Sequence, residues 1–182
     1  MSQTIRLICG LLIAAISLVY AAKASAQATL ILKAIGNGER VGLSYKGKSK
    51  VINLERDFAG QFTAGGNPAH RFTVLLSIEK NGHLYLVAKF RSRSPMSEPM
   101  GPCGGDAPST LLLIKTSKDL KIEDLATEIY DSCAFNGGRY VKGRPRVTRN
   151  AVTVEFKERE KRYTLKFDAN DPDKDLQVSE HR

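Results

Sequence analysis

Six residues in one short segment have side chains suited to binding an anionic partner. They lie within eleven residues and are Arg139, Tyr140, Lys142, Arg144, Arg146 and Arg149. Guanidinium groups can bind a carboxylate or phosphate through two parallel hydrogen bonds, and an aromatic ring is a common interface anchor. The excess of Arg over Lys favours recognition over simple solubility. We therefore expect this basic segment, residues 139–149, to be a binding surface; the alternative is a solvated basic loop.

Residues 1–26 are typical of a cleavable secretory signal. Arg6 precedes an apolar run from Leu7 to Ala22, and Ala24-Ser25-Ala26 supplies the small residues that a signal peptidase accepts. The run is shorter than the roughly 20 apolar residues of a membrane-spanning helix, so we expect cleavage and no transmembrane span afterwards. A retained anchor is the alternative. No Asn begins an N-glycosylation sequon. This pattern favours bacterial export to the periplasm or beyond, with residues 27–182 as one domain.

Export determines how the cysteines are interpreted. Cleavage removes Cys9 and leaves Cys103 and Cys133. One remaining pair in an oxidising compartment predicts a disulfide. Met96 and Met100 precede Cys103, so a copper(I) site is a weaker alternative. We expect no metal and no cofactor.

The charge of the chain points to an acidic partner. The full sequence has 28 Lys and Arg against 19 Asp and Glu. Loss of Arg6 and Lys23 with the signal leaves a net charge of +7. A positive field of this size attracts acidic proteins or acidic envelope components. We do not expect nucleic acid as a partner, because the chain is exported and has no recognised nucleic-acid-binding motif. The sequence does not indicate an oligomeric state.

Catalytic motifs are hard to find in this sequence. The histidines His70, His83 and His181 lack metal-ligand spacing such as HxxxH, and there is no GxSxG motif. With both cysteines assigned to a disulfide, no free thiol remains as a nucleophile. The sequence therefore predicts a protein that is not an enzyme; an unrecognised hydrolase is the remaining alternative.

Short alternating runs separated by turns predict a mainly β protein, with a single antiparallel β domain of sandwich or barrel type. Asn81-Gly82 joins two such runs and predicts a hairpin, because both residues tolerate positive φ. We expect the first run to place four residues on one face and the second run to do the same. The first four are Phe72, Val74, Leu76 and Ile78, and the second four are Leu84, Leu86, Ala88 and Phe90.

Three further segments shape the expected fold. A second hairpin near the C-terminus should bury one face that contains Val152, Val154, Phe156, Tyr163, Leu165 and Phe167. The apolar run Leu111–Ile114 suits a central strand covered on both sides. Residues Ile122–Tyr130 fit either a helix or a strand, because their apolar residues have helical spacing but a turn precedes them.

This combination of export signal, one disulfide and a β domain without a catalytic motif resembles small exported β-rich binding proteins. Bacterial periplasmic inhibitors and the immunity proteins that neutralise envelope-targeting toxins are examples. The resemblance implies protein binding by loops at one end of a β sandwich. Inhibitors of basic lysozymes should be acidic, so a charge of +7 implies an acidic target enzyme or toxin. The alternative is a binder of acidic envelope components, either lipid phosphate or anionic polysaccharide.

The disulfide gives the first testable prediction. Loss of the bond increases the conformational entropy of the unfolded chain. Cys103→Ala should therefore lower the free energy of unfolding by about 2–5 kcal/mol. Urea unfolding measures this change. Intact mass after alkylation, with and without reductant, measures the bond itself. Two alkylatable thiols in non-reduced protein purified from the periplasm would contradict the prediction.

Overall fold

The computed structural model describes residues 30–35, 40–53, 71–91, 108–132, 138–141 and 143–181. Several predicted features lie outside these residues: the signal, His70, Met96, Met100, Cys103, Cys133 and Lys142. None of the helical structure in the described ranges is long and apolar enough to cross a membrane. The signal, its cleavage and the disulfide stay predictions.

Three antiparallel sheets make up the described part of the chain. Sheet A contains β1 (Ile31–Ile35), β2 (Arg40–Tyr45) and β3 (Lys48–Asn53) in that order. Sheet B contains β4 (Arg71–Lys80), β5 (His83–Arg91), β6 (Ser109–Ser117) and β7 (Ile122–Asp131). Sheet C has the order β12-β11-β10-β8, with β9 also paired to β10. Its strands are β8 (Arg139–Val141), β9 (Arg146–Val147), β10 (Ala151–Glu158), β11 (Lys161–Asp168) and β12 (Gln177–His181). The predicted mainly β, antiparallel fold is confirmed.

Sheet B is the middle layer, and its two faces bury different clusters. Alternate residues of β5 and β6 pack with sheet A, among them Leu86 and Leu112. The residues between them pack with sheet C, among them Val87 and Leu113. All of Leu111–Ile114 is buried, as expected for a central strand covered on both sides. Near-continuous apolar runs in β5 and β6 follow from this double coverage, because neither face can carry solvated side chains.

The β4–β5 hairpin forms as predicted, but the predicted face of β4 is wrong. Asn81 and Gly82 form its turn with φ of 52° and 84°. A β-bulge between Val74 and Leu76 shifts the register by one residue. A shift of one exchanges the two faces of a strand. Phe72 and Val74 therefore pack against the cluster with sheet A, whereas Leu76 and Ile78 pack against the cluster with sheet C.

Residues Ile122–Asp131 form strand β7, so the helical interpretation of this segment is wrong. The turn after Ser117 returns the chain to pair with β6, and Leu120 takes a φ of 60° there. Register shifts near both ends of β7 break the simple alternation. Leu125 packs toward sheet A and Tyr130 toward sheet C. The apolar residues of β7 have helical spacing because β7 is an edge strand with two bulges and is covered on both faces. Its buried residues therefore follow one another at irregular intervals.

The C-terminal hairpin β10–β11 confirms the predicted faces. Val152, Val154, Phe156, Leu165 and Phe167 are all buried against sheet B. Phe156 lies opposite Tyr163, and their rings stack with centroids 5.3 Å apart. Tyr163 is only partly buried, at the margin of the cluster.

The first residue of β6 and the last residue of β7 lie side by side at one end of sheet B. Ser109 opens β6, and it lies opposite Asp131, the last residue of β7. Position 103 lies six residues before Ser109, and position 133 lies two residues after Asp131. A chain spans at most about 3.6 Å per residue, so six residues can easily bridge adjacent strands. The reach of the chain is compatible with the predicted disulfide, which stays a prediction because both cysteines lie outside the described residues.

Phe156→Ala tests the burial of the C-terminal hairpin. Phe156 is fully packed between sheets B and C, so its truncation should lower the free energy of unfolding by roughly 3–5 kcal/mol. Thr153→Ala is the matched control, because Thr153 lies on the same strand but points to the opposite, solvent-facing side. Urea unfolding of both variants measures the difference. Similar losses in the two would reject the assigned faces.

Candidate functional site

Arg139 opens the basic segment, and its guanidinium group is used inside the protein. It forms an ion pair with Glu128 of β7, and its Nε donates to Glu158 of β10 at 2.9 Å. It also donates to the carbonyl oxygen of Ile129 at 2.5 Å and lies over the Phe156 ring at 5.1 Å. Only 12% of the side chain is exposed. Arg139 therefore ties sheet B to sheet C, and its charge is neutralised within the fold.

Tyr140, the next residue, points to the other side of β8 and is 58% exposed. Its ring lies directly against the backbone of Gly138. A Cβ atom at position 138 would lie 2.6 Å from the Tyr140 ring, and the φ of Gly138 is 91°. A residue with a side chain would be strained at position 138 and would displace the ring. Gly138 therefore sets the position of this exposed aromatic ring.

The other described arginines of the basic segment are exposed, but they do not all lie on one strand. Arg146 lies on β9 with 79% of its side chain exposed, while Arg144 and Arg149 lie in the bends on either side. Lys142 lies outside the described residues. Of the six predicted site residues, the structure brings Tyr140 and Arg146 onto one surface, the face of sheet C that points away from sheet B. We call this surface the outer face of sheet C.

Strand register arranges the outer face of sheet C in three cross-strand rows. Directly opposite residues in antiparallel strands share a face, with Cβ atoms about 5 Å apart. The first row is Tyr140, Lys157, Arg162 and His181, the middle row is Glu155, Thr164 and Ser179, and the third row is Arg146, Thr153, Lys166 and Gln177. Neighbouring rows lie two residues apart along each strand, which is about 7 Å. We call the first row the basic row.

Lys157 and Arg162 are the electrostatic centre of the basic row. They lie directly opposite each other on β10 and β11, which places two like charges at neighbouring positions. Such pairs destabilise a sheet. Neither side chain forms an ion pair within the described ranges, although both are exposed. Two positive charges are thus held side by side, and neither is neutralised by a direct ion pair within the described residues.

Other cations of sheet C are balanced internally. Lys166 Nζ donates to Asp168 at 2.7 Å, and this hydrogen bond lowers the pKa of the Asp168 carboxyl. Lys161 Nζ lies 3.0 Å from Glu180, whose carboxylate raises the pKa of Lys161. Arg146 comes within 4.0 Å of Glu155 in the middle row. These pairings leave the Lys157–Arg162 pair as the least compensated charge on this face.

A concavity of about 560 Å³ opens beside this pair. Its lining includes Lys157, Arg162 and His181, together with the carboxylates of Glu155 and Glu160. His181 Nε2 lies 2.5 Å from Thr164 Oγ1, which fixes the imidazole at the end of the basic row. The concavity therefore offers cationic donors, carboxylate acceptors and an imidazole, a set suited to non-covalent recognition of a polar anion.

Sequence reasoning missed Lys157, Arg162, Lys166 and His181 as members of the site. The alternation of β10 and β11 is enough to place Lys157 and Lys166 on the face opposite the apolar residues. The alternation did not determine the register between the two strands. The two-residue turn at Arg159 and Glu160, with Arg159 at φ 55°, fixes Lys157 opposite Arg162. A two-residue turn at Arg159 and Glu160 was the signal that could have identified the pair, because the length of a hairpin turn sets the register of its strands.

Polar groups elsewhere mainly hold the layers together. Tyr85 and Lys115 of sheet B each donate to the same Asp173 oxygen at 2.7 Å, which anchors the turn before β12. Burial raises the pKa of Tyr85, and the hydrogen bond from Lys115 lowers the pKa of Asp173. His83 Nδ1 lies 2.6 Å from Glu123. In the part of the chain that the structure describes, no group of three or more His, Cys, Asp and Glu is placed to hold a metal ion.

No family model, no curated protein and no solved structure matches this chain.

Arg139→Met tests whether Arg139 joins the layers. Met keeps apolar volume over Phe156 but leaves Glu128 and Glu158 without their cation, so the free energy of unfolding should fall by roughly 2–4 kcal/mol. Arg146→Met is the matched control and should have little effect, since Arg146 is exposed. Urea unfolding measures both. An Arg139→Met variant as stable as Arg146→Met would contradict the internal role.

Proposed function

We propose that this chain is an exported, non-catalytic binding protein that recognises an acidic partner through the outer face of sheet C. The observation that carries the proposal is the exposed, unbalanced pair of Lys157 and Arg162. The proposal assigns no residue a catalytic role. The proposed function includes export, a periplasmic or secreted location and the disulfide. These features define the compartment in which the protein would meet its partner.

The cost of the Lys157–Arg162 pair supports a binding role. A solvated strand face needs only polar side chains, and Thr153 and Thr164 satisfy that need in neighbouring positions. Two opposed cations instead reduce the stability of the free protein, and a bound anion would remove their repulsion. Residues that lower stability on a rigid surface commonly serve function.

An inhibitor or immunity protein that neutralises an envelope-targeting enzyme or toxin is one version of this function. An acidic surface on such a target would complement the outer face of sheet C, and the net charge of +7 would speed the encounter. Exposed Arg144 and Arg149, in the bends beside β9, would extend the contact. In this version the protein covers its target and performs no chemistry.

A binder of acidic envelope components is the second candidate, and the composition of the face favours it. Protein interfaces usually have an apolar centre with few Lys residues. Among the described residues of the three rows, Tyr140 is the exposed large hydrophobic side chain, and it lies at one end. A polar, charged face with one aromatic ring fits a polar polyanion better than the core of a protein interface.

Affinity capture tests the proposed function. Immobilised mature protein should retain an acidic macromolecule from bacterial envelope extract at low salt and release it at high salt, because exposed charges are screened. Lys157→Glu with Arg162→Glu should abolish retention. Mass spectrometry and glycan analysis of the eluate identify the class of partner.

Lys33→Glu with Lys50→Glu is the matched control for net charge. Both residues are exposed on sheet A, on the far side of sheet B, and neither forms an ion pair within the described ranges. Lys46 and Lys48 are less suitable, because they lie beside Glu79 and Asp119. Equal losses of retention in the two double variants would show that the effect comes from net charge alone. Full retention by the Lys157/Arg162 variant would reject the outer face of sheet C.

A further inference from the structure

The basic row has the chemistry of a subsite for one acidic sugar. We propose that the concavity beside Lys157 and Arg162 binds a sugar that carries an oxyanion group, as one unit of an anionic glycan. This inference rests on the proposed function and adds the chemical class of its ligand. Four observations support it: the paired cations, the carboxylates beside them, the position of Tyr140 and the size of the concavity.

Lys157 and Arg162 supply the anion-binding part. Their positions lie opposite each other about 5 Å apart at Cβ, so both side chains can reach one carboxylate or phosphate group. The guanidinium fork fits two oxygens of such a group, and the ammonium adds a second charge. His181, directly opposite Arg162 on β12, offers a further polar contact at the edge.

Glu155 and Glu160 distinguish a sugar from a bare anion. Both carboxylates line the same concavity as the cations. A simple anion would be repelled by them, whereas sugar hydroxyls donate hydrogen bonds to carboxylates. A ligand that accepts from Lys157 and Arg162 and donates to the carboxylates must carry both an oxyanion and hydroxyl groups. An acidic sugar satisfies both requirements in one ring.

Tyr140 can provide an apolar contact next to the concavity. It does not line the concavity itself, but it lies directly opposite Lys157, and its ring lies against Gly138. The apolar face of a sugar ring can pack on such a platform while its hydroxyls stay solvated. The volume of about 560 Å³ lies within the range of small-molecule sites. An extended glycan can run along the row beyond this unit.

The test uses the full mature chain and defined probes. Trigalacturonate carries a carboxylate on each sugar, cellotriose is the neutral control, and inorganic phosphate is the bare anion. Calorimetry should show that trigalacturonate binds and cellotriose does not. Lys157→Gln with Arg162→Gln should weaken trigalacturonate binding at least about tenfold, from the loss of charge-assisted hydrogen bonds. Lys33→Gln with Lys50→Gln should change it less than about twofold, since distant exposed charges are screened.

Tyr140→Ala separates sugar recognition from anion recognition. It should weaken trigalacturonate binding roughly 3- to 10-fold while any binding of inorganic phosphate stays unchanged. Amide shifts in ¹H–¹⁵N spectra should map the trisaccharide to residues 155–163 and to His181. Equal weakening by the Lys157/Arg162 and Lys33/Lys50 variants, or binding of cellotriose as tight as that of trigalacturonate, would overturn the proposal.

Two outcomes would overturn this inference and leave the proposed function standing. Binding to vesicles of phosphatidylglycerol and phosphatidylcholine, without trigalacturonate binding, would make the partner a lipid surface. Retention of an acidic protein from envelope extract through Lys157 and Arg162, again without trigalacturonate binding, would favour the inhibitor version. If, in addition, the Lys157/Arg162 variant retains the same macromolecule as fully as the unaltered protein does, the proposed function fails together with the inference.

Discussion

Burial of sheet B on both faces is the constraint on which the rest of the structure depends. β5 and β6 are apolar at successive positions, so neither face can be left in water. Sheet A covers one face and sheet C the other, and each covering sheet uses its own apolar face in doing so. A covering sheet must then keep its second face in solvent. The outer face of sheet C is therefore a consequence of the core, available for polar residues that do not have to pack.

Polar contacts between layers give that outer face a fixed geometry. Arg139 links β7 to β10 and so holds the short strand β8 in place at the margin of sheet C. Because Tyr140 is the next residue, the same contact positions the backbone from which its exposed ring projects. At the other margin, Asp173 is held by Tyr85 and Lys115 shortly before β12, which carries His181. The two ends of the basic row are thus positioned by contacts between sheet C and sheet B.

The sequence predicted the elements with strong local signals and failed where tertiary context decides. Asn81-Gly82 and the alternation of Val152, Val154 and Phe156 predicted hairpins that the structure contains. The bulge at Leu75 has no such signal, since nothing in its composition differs from regular strand. The same distinction between local signals and tertiary context applies to the candidate site. Tyr140 and Arg146 are exposed, whereas Arg139 finds its partners in two other strands, which no local pattern could indicate.

The central claim is that Lys157 and Arg162 are kept together for a ligand and not for the fold. The most direct measurement is the free energy of unfolding, by urea at low ionic strength, of Lys157→Gln with Arg162→Gln against the unaltered protein. Removal of two opposed like charges should leave stability unchanged or raise it by roughly 0.2–1 kcal/mol, and added salt should erase the gain. A double variant that is clearly less stable than the unaltered protein would show that the pair serves the fold, and would contradict the account.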